Sequence, residues 1–279
     1  MATKFLTTEG VKYLVDVIDT AIDVVQRINT TEGVRFCKYS TYDQKITADL
    51  PLAYWKLQET EGTSAVEEIA ANNGTYAAGY TLNQPGFIAA FKSVAVDGVD
   101  ASRITIPNAA FSPITGTAAL SIESWVRPAS LPPLDGNIFM FFSTDGASNQ
   151  NYMSFNRNGG VQAVLVSLRI NGAQVAVRST GFTPTAATWY HIVETYDGSK
   201  VRIYVNGVDY SPVNAPSGNV DLGVSAGRLG GWVVAGGFGF PGNISHTAMY
   251  ATVLSPTTIV QHYSMGLAAR TNSVVPIVG

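Results

Sequence analysis

Ser225 is the first residue whose surroundings suggest chemistry, because it lies at the centre of the stretch Gly223-Val-Ser-Ala-Gly227. A Gly-x-Ser-x-Gly pattern can place a nucleophilic serine on a sharp turn between a strand and a helix. Here no helix-forming pattern follows the serine, since glycines occupy positions 230, 231, 236, 237 and 239. We therefore interpret this stretch as a glycine-rich loop and not as the nucleophile of a hydrolase.

The stretch 237–242 has the glycine spacing of a dinucleotide-binding fingerprint. That fingerprint works only between a strand and a helix of a parallel sheet, where the helix amino terminus receives the pyrophosphate. Pro241 interrupts the stretch, and no such unit surrounds it. The sequence thus predicts another loop here and no nucleotide cofactor.

The histidines and acids do not form a catalytic or metal-binding pattern. His191, His246 and His262 are widely separated and lack metal-ligand spacing. We expect His191 and His262 to be structural, satisfied core or edge histidines.

A glycosidase would need two carboxylates that flank the sugar, commonly presented on alternate positions of one strand. The pairs Glu59 with Glu61 and Glu67 with Glu68 lie instead in loop-like sequence. They are expected to be solvated surface acids, so the sequence predicts that the protein is not an enzyme and has no cofactor.

Sugar recognition requires aromatic faces for stacking and amide or hydroxyl groups for directional hydrogen bonds. Two loop stretches supply both, one with Asn149, Asn151 and Tyr152, and a glycine-rich one with Trp232, Phe238 and Phe240. We take these six residues as candidate carbohydrate-binding residues. The alternative for the second group is that Trp232 and at least one phenylalanine cap the hydrophobic core.

The composition narrows the class of partner. Of the 279 residues, 46% are hydrophobic and only 13% are charged, which favours a surface of Ser, Thr, Asn, Gln and Gly. With 17 basic and 20 acidic residues, the chain has no positive field for nucleic acid. No signal peptide is apparent, and acidic residues interrupt the most apolar stretch, so no membrane helix is expected. The single cysteine, Cys37, excludes an intrachain disulfide and is expected to be a buried apolar residue.

The elements that must position these residues begin with a predicted helix at residues 9–29. Apolar residues follow a heptad spacing of three and four, at Val11, Leu14, Ile18, Ala21, Val25 and Ile28. Because β-branched residues occupy the seam, the pattern favours a homotrimeric bundle. The alternative is a single helix that docks on a neighbouring domain. Residues 30–50 are interpreted as a polar connector, with at most a short strand.

From residue 51 onward the hydrophobic pattern has a period of two and is interrupted by turn dipeptides, which indicates an all-β sandwich. One predicted hairpin joins 161–170 to 173–178 through Asn171-Gly172, and a second joins 189–196 to 201–205. A further strand is predicted from Leu120 to Arg127. A short helix is predicted after Ser255, with Pro256 at its first position.

These strands follow the order of a known family. The stretches Pro51–Glu59, Asn72–Tyr76, Val94–Gly98, Ser121–Pro128, Trp189–Gly207 and Gly242–Tyr250 resemble, in this order, a laminin-G-like, concanavalin A-like jelly roll. The resemblance covers residues 51–267. It implies a two-sheet antiparallel sandwich that binds glycans or proteins, often beside a calcium ion.

The resemblance weakens at the expected calcium site. Where relatives usually carry an acidic pair in the closing strand, this chain has Ser245 and His246. Because calcium prefers several carboxylate oxygens, it is not expected there. Asp97 and Asp100 are the remaining metal candidates, although acids beside a glycine commonly form turns.

The segment Lys4–Ile18 resembles the start of phage tail-fibre and head-fibre proteins, in which an initial helix anchors or trimerises the fibre. Together the two resemblances imply an assembly helix at 1–29, a connector at 30–50, a jelly roll at 51–268 and a tail at 269–279. The functional hypothesis is a non-enzymatic virion surface protein, a capsid decoration or fibre component that weakly attaches to glycans. Its partners would be further copies of the chain and other virion proteins, reached through residues 1–50. The alternatives are a secreted carbohydrate-binding module with an extracellular location, or a glycan hydrolase.

Overall fold

A computed structural model describes residues 41–99, 103–144, 151–214, 216–221, 226–232 and 238–268, and the strands within residues 3–39. Those first strands, β1 (Thr3–Thr8), β2 (Val11–Ile18), β3 (Ala21–Thr30) and β4 (Gly33–Tyr39), form one antiparallel sheet in the order β1-β2-β3-β4. The expectation of a helix at residues 9–29 is therefore wrong. The heptad pattern lies on strands β2 and β3, which pair through contacts such as Val15 with Val24.

The physical reason is that the segment satisfies two periodicities at once. Valine and isoleucine fill much of 11–28, and β-branched residues pack well on a pleated sheet but lose rotamer freedom in a helix. Side chains in a strand alternate between faces, so residues three apart lie on opposite faces, and positions spaced alternately by three and four cannot all share one face. The proposed helical seam of Val11, Leu14, Ile18, Ala21, Val25 and Ile28 thus does not exist in this structure.

The expected connector at residues 30–50 contains a strand, β4, as the prediction allowed, but it also contains a helix that was not predicted, α1 (Tyr42–Ala48). Thr41 caps α1 by accepting a hydrogen bond from the Gln44 backbone N–H, while the Gln44 side chain accepts from the Thr41 N–H. This reciprocal capping box fixes the start of the helix. Tyr42 and Ile46 are buried, so α1 is part of the folded domain.

The sandwich contains two eight-stranded sheets and a C-terminal helix, α2 (Pro256–Ala268). Its strands are β5 (Ala53–Trp55), β6 (Ser64–Ala65), β7 (Gly74–Tyr76), β8 (Tyr80–Pro85), β9 (Lys92–Asp97), β10 (Ile104–Pro107), β11 (Leu120–Pro128), β12 (Ile138–Thr144), β13 (Asn151–Asn158), β14 (Val161–Ile170), β15 (Ala173–Arg178), β16 (Tyr190–Tyr196), β17 (Val201–Val205), β18 (Val208–Asp209), β19 (Ala226–Leu229) and β20 (Pro241–Tyr250). Sheet one has the order β15-β14-β13-β12-β19-β10-β7-β6, and sheet two has the order β18-β17-β16-β11-β20-β9-β8, with β5 beside β20.

The structure confirms the predicted hairpins, the strand at 120–127 and the helix at 256. Asn171 and Gly172 have φ values of 48° and 77°, the two positive angles that a type I′ turn requires. Asn206 and Gly207 repeat this conformation at 54° and 82°. The side chain of Ser255 accepts a hydrogen bond from Thr258 N–H at 3.0 Å and so caps α2.

The main core lies between the two sheets. Sheet one contributes residues such as Phe142, Phe155 and Val166, and sheet two contributes Ile122 and Ile192, all with at most 1% exposure. Burial of alternate positions on both sheets is the arrangement expected of a sandwich. The predicted fold class, a two-sheet antiparallel sandwich, is confirmed.

A second core lies on the outer face of sheet two, under α1 and α2. Trp125 stacks on Phe87 with a centroid distance of 4.0 Å and donates its Nε1–H to the hydroxyl of Tyr42 at 2.9 Å. Strand β11 is consequently buried on both faces over most of its length. Within the residues that the structure describes, no helix is long and apolar enough to cross a membrane.

Candidate functional site

The two outer faces of the sandwich differ in what covers them. The outer face of sheet two lies beneath helices α1 and α2 and their aromatic side chains. Among the described elements, no helix packs on the outer face of sheet one, which carries hydroxyl, amide and guanidinium side chains. Within the described part of this face, Tyr152, Gln174 and Arg178 are at least partly exposed and can contact a ligand, whereas Ser143, Ser154 and Ser167 are completely buried.

One cross-strand row of this face spans all eight strands in register. Its positions are Ser64, Thr75, Thr105, Arg228, Ser143, Tyr152, Ser167 and Ala176. Neighbouring side chains in such a row stand about 5 Å apart. Ser143 and Ser167 are completely buried, so the hydroxyl groups that this row can offer to a polyhydroxylated ligand are those of Ser64, Thr75, Thr105 and Tyr152.

The densest part of this surface lies on strands β13 to β15. We call it the outer-face patch, and its residues are Tyr152, Ser154, Asn156, Ser167, Gln174 and Arg178. Gln174 is exposed and donates a hydrogen bond to the hydroxyl of Ser167. The hydroxyl of Ser154 donates to the backbone carbonyl of Leu165 at 3.2 Å. The patch is therefore polar and held in place by its own hydrogen bonds.

Tyr152 supplies the aromatic surface of the patch. It is half-buried and lies between Ser143 on β12 and Ser167 on β14. Burial raises the pKa of its phenol above the usual value, although a hydrogen bond with Ser167 opposes the shift. The hydroxyl thus stays protonated and can donate, while the ring offers a face for stacking.

Arg178 supplies the positive charge of the patch. From β15 its side chain crosses β14, and its Nε donates to Asn156 Oδ1 on β13 at 2.9 Å. Its Nη2 donates to the carbonyl of Val161 at 3.0 Å. Both partners are neutral, and the guanidinium is half-buried. These two hydrogen bonds fix the orientation of the guanidinium and do not neutralise its charge.

The glycine-rich loop reaches the same face. Ser143 donates its hydroxyl hydrogen to the carbonyl of Gly231 at 2.8 Å, and Arg103 donates to the carbonyl of Trp232 at 2.8 Å. The ring of Trp232 meets that of Phe238 edge to face at 4.9 Å. Both rings are half-buried. Since Ser143 is the register neighbour of Tyr152, the structure brings the two predicted clusters within about one strand of each other.

Two of the predicted sugar-binding residues cannot reach a ligand in this structure. Phe240 is completely buried and packs against Phe141 and Phe155, so the alternative that a phenylalanine caps the core holds for this residue. Asn151 is 1% exposed, donates to Thr144 and to the carbonyl of Asp221, and accepts from Arg169 N–H. Its side-chain amide therefore joins the start of β13 to the end of β12. Asn149 lies outside the described residues.

The structure does not support a metal site formed by the two candidate residues, Asp97 and Asp100. Asp97 accepts a hydrogen bond from Val99 N–H at 2.9 Å, which is the role of a turn-forming aspartate. Asp100 and Ser225 lie outside the described residues. Among the residues that are described, no group of three or more His, Cys, Asp or Glu side chains could hold a metal ion.

A buried network joins the helices to sheet two. Glu123 on β11 lies 2.8 Å from His191 Nε2 and 3.0 Å from His262 Nδ1, and it accepts a hydrogen bond from Tyr250. The other nitrogen of His262 lies 2.6 Å from Asp49 Oδ2 at the end of α1. The chain of contacts thus connects α1, α2 and three strands of sheet two.

In this network, Glu123 and His262 each stabilise the charged form of the other. Burial alone would raise the pKa of Glu123, but the His262 charge and hydrogen bonds from His191 and His262 hold it well below its usual range. Burial would lower the pKa of His262, yet the charge of Glu123 and the hydrogen bond to Asp49 raise it to about 9. Burial lowers the pKa of His191 despite Glu123. His262 is the imidazolium of the group.

Ser245, His246 and Asp43 show a second arrangement that resembles a catalytic triad in composition alone. His246 Nδ1 lies 2.5 Å from Ser245 Oγ, and its Nε2 lies 3.4 Å from Asp43 Oδ1. Ser245 and His246 are completely buried, and Ser245 Oγ also lies 3.0 Å from the carbonyl of Lys92. His246 has a φ of 50° where β11 and β20 shift register. The group secures a bulge beneath α1 and offers no access to a substrate.

Glu67 corrects the expectation that the acids at 59–68 are solvated. It is 4% exposed, and its carboxylate accepts backbone hydrogen bonds from Tyr54, Ile69, Ala70 and Asn72. Such a carboxylate organises a turn, because four donors would otherwise lack partners.

Sequence reasoning missed Asn156, Ser167, Gln174 and Arg178. For Ser167, Gln174 and Arg178 the signal was the polar half of the alternation in the predicted hairpin at 161–178, whereas Asn156 lies outside that hairpin, on β13. Sequence reasoning also missed the partners of the histidines, since Glu123 and Asp49 lie 68 and 213 residues from His191 and His262 respectively.

The model of the concanavalin A-like lectin/glucanases superfamily matches residues 97–260. Among solved structures, the fold is similar to domain 4 of AbnA, a GH43 extracellular arabinanase from Geobacillus stearothermophilus, in complex with arabinotriose. The TM-score is 0.50 at 20% identity, covering 76% of this chain and 98% of that one.

The binding domain of Paraclostridial Mosquitocidal Protein 1 gives a TM-score of 0.59 at 11% identity, covering 77% of this chain and 52% of that one. A sialidase from Trypanosoma rangeli gives 0.59 at 11% identity, covering 96% of this chain and 45% of that one. The chain thus spans about half the length of these two proteins. No curated protein matches the chain by sequence. At these identities the structural likeness concerns the fold.

Proposed function

Because the chain belongs to the concanavalin A-like lectin/glucanases superfamily, we propose that it binds glycans through the outer-face patch and does not cleave them. The observation that carries this proposal is the position of Tyr152. Its half-buried ring lies on the outer face of sheet one, on which no described helix packs, and its register neighbour Ser167 accepts a hydrogen bond from the exposed amide of Gln174. Aromatic stacking flanked by hydroxyl and amide groups is the chemistry that sugars require.

The neighbouring structures support the proposal at the level of fold. They include an arabinanase domain in complex with arabinotriose and binding domains of toxins. Arabinan is therefore a reasonable first ligand to test, followed by a wider panel of polysaccharides. The aromatic pair of Trp232 and Phe238 would form one wall of the site, one strand from Tyr152.

Binding without hydrolysis is supported by the residues of the patch. Strands β12 to β15 contain no aspartate or glutamate. Glycoside hydrolysis generally uses two carboxyl groups about 5 to 9.5 Å apart across the scissile bond. A release assay with labelled polysaccharides tests this part of the proposal. Sustained release of labelled sugar, by an activity that stays with the protein through purification, would overturn it.

The binding proposal is tested by affinity electrophoresis and calorimetry on the full chain. We expect retarded migration in gels that contain the bound polysaccharide. Tyr152→Ala should weaken binding at least tenfold, because it removes the stacking surface. Tyr80→Ala is a matched control, since Tyr80 is also half-buried but stacks on Tyr76 away from the patch. Equal affinity of both variants and the native chain would refute the assignment of the patch.

We also propose that residues 1–40 attach the module to a larger assembly, with a virion surface as the leading location and an extracellular one as the alternative. The support is that β1 to β4 form a sheet of their own, which pairs with none of the described strands of the sandwich.

The mass in solution tests this attachment role. The full chain is expected to form an oligomer, a homotrimer in the leading hypothesis, and a chain that begins at Thr41 should be monomeric. The shorter chain must keep α1, because Tyr42 and Ile46 belong to the folded domain. A monomeric full chain, or an unchanged oligomer after truncation, would refute assembly through this segment.

A further inference from the structure

Arg178 gives the outer-face patch a property that sugar binding alone does not require. A guanidinium on a hydroxyl-lined surface is commonly neutralised by an acidic neighbour when its role is structural. Arg157 and Arg169, on the adjacent strands β13 and β14, follow that pattern. Arg157 Nε lies 3.2 Å from Asp135, and Arg169 Nε lies 3.6 Å from Asp221.

Arg178 differs from both of them. Among the described residues, its hydrogen-bond acceptors are the amide oxygen of Asn156 and the carbonyl of Val161. Neither acceptor carries a charge, and strands β12 to β15 contain no acidic residue. The structure thus holds a fixed positive charge beside Asn156, on a chain whose net charge is −3.

Neutral acceptors have a specific physical effect. They lock the plane of the guanidinium, so its remaining N–H groups are oriented in advance, but they leave its full charge available to a ligand. Planar oxyanions such as carboxylates bind a guanidinium through two parallel hydrogen bonds, which are about twice as strong as neutral ones. Because Arg178 is half-buried, water screens this attraction less than it does at an open surface.

We propose that the patch selects acidic polysaccharides, in which Arg178 binds a carboxylate or sulfate group of the chain. This inference rests on the proposed glycan-binding function and names the ligand class of the same site. Asn156 is four residues from Tyr152 on β13, so the bound charge would lie roughly 13 Å from the stacked sugar. The ligand is therefore an oligosaccharide stretch of a polymer, with a neutral sugar face at Tyr152 and an acidic group at Arg178.

Matched pairs of polymers test the inference on the full chain. Polygalacturonate is compared with its methyl ester, and dextran sulfate is compared with dextran, since each pair differs chiefly in charge. We expect at least one charged member to bind ten times or more tighter than its neutral partner, and this preference should fall as salt increases. Arabinan serves as an unrelated neutral polymer.

Three variants assign the preference to its source. Arg178→Gln should lose the charged preference, so that each charged polymer binds no more than about twofold tighter than its neutral partner. Arg178→Lys should retain only part of it, because an ammonium lacks the planar fork. Arg157→Gln, whose guanidinium already pairs with Asp135, should bind like the native chain. Thermal unfolding checks that each variant is folded, and the Lys variant replaces the Gln variant if the latter is not.

The outcomes separate this inference from the proposed function. Binding of arabinan or dextran with no preference for charge overturns the acidic ligand class and leaves glycan binding intact. A charged preference that survives Arg178→Gln, or that disappears equally in Arg157→Gln, overturns the role of Arg178. Failure to bind any of the five polymers counts against both proposals.

Discussion

The imidazole of His262 on α2 lies 3.0 Å from the carboxylate of Glu123 on β11, and both side chains are completely buried. Two charges of opposite sign are therefore held where neither can exchange its partner for water. Removing one member of such a pair leaves the other buried and uncompensated, which is far more destabilising than the pair itself is stabilising.

Glu123→Gln should consequently destabilise the protein by about 3 to 5 kcal/mol, because His262, His191 and Tyr250 all lose a charged acceptor. Urea unfolding at pH 7 measures the loss. Asp135→Asn, which disrupts an ion pair with Arg157 that is partly exposed, is the control and should cost less than about 1 kcal/mol. A Glu123 variant as stable as the control would mean that the carboxylate is not essential to the network.

The same network predicts how stability depends on pH. His262 has a pKa raised from 6.5 to about 9, so its contribution is complete below pH 6.5 and is lost as the pH rises through 9. The pKa values of Glu123 and Asp49 are lowered, so their contributions are lost as the pH falls below about 4. The difference in thermal midpoint between the native chain and His262→Gln should be largest near pH 6 and should shrink by pH 10. A constant difference across this range would contradict the assignment of the charge to His262.

Glu194 predicts a loss of stability as the pH rises, which is opposite in direction to the effects of Glu123 and Asp49. It is register partner to Ile122 and Ile203, is 1% exposed, and has an Oε2 without a hydrogen bond from the described residues. Burial raises its pKa well above 4.5, so the folded chain keeps a proton that the unfolded chain releases. This contribution to stability is lost as the pH rises above 4.5.

Glu194→Gln should therefore gain stability relative to the native chain as the pH is raised from 4.5 to 8, because glutamine has no proton to lose. Urea unfolding at the two pH values measures the change. Glu61→Gln, at an exposed position, should show no such trend. An equal response of both variants would indicate that Glu194 is ionised in the folded chain.

Substitutions of Phe240 and Trp232 should affect the stability of the fold and glycan binding to different extents. Phe240→Ala removes a completely buried ring and should cost about 3 to 5 kcal/mol of unfolding free energy. Trp232→Ala removes a half-buried ring at the edge of the patch and should weaken glycan binding several-fold with a smaller loss of stability. Chemical unfolding and calorimetric titration are compared for both. If Phe240→Ala stays stable but loses binding, the assignment of the two rings is reversed.

Local sequence signals allowed the strands and turns of the sandwich to be predicted. Asn171-Gly172 requires two positive φ angles, which fixes a type I′ turn and therefore the register of β14 and β15. The alternation in β17 and the Ser255-Pro256 start of α2 are equally local signals. These features were confirmed because each depends on a few neighbouring residues.

The N-terminal segment shows where local signals fail. Valines and isoleucines at 11–28 fit a heptad and a strand equally well over so short a stretch, and pairing between strands decides which forms. The helix α1 was missed for a related reason, since its seven residues are too few to show a helical period. In both places the competing states differ in contacts with distant residues.

The sequence alone therefore determined the turns and the alternating strands, because these depend on backbone preferences and side-chain type over short distances. Only the tertiary structure decided that Phe240 faces the core while Tyr152 faces outward, and that Glu123 meets His262 across 139 residues. The physical reason is that a side chain's exposure and charge state depend on what packs against it, and strand order in a sandwich places distant residues side by side.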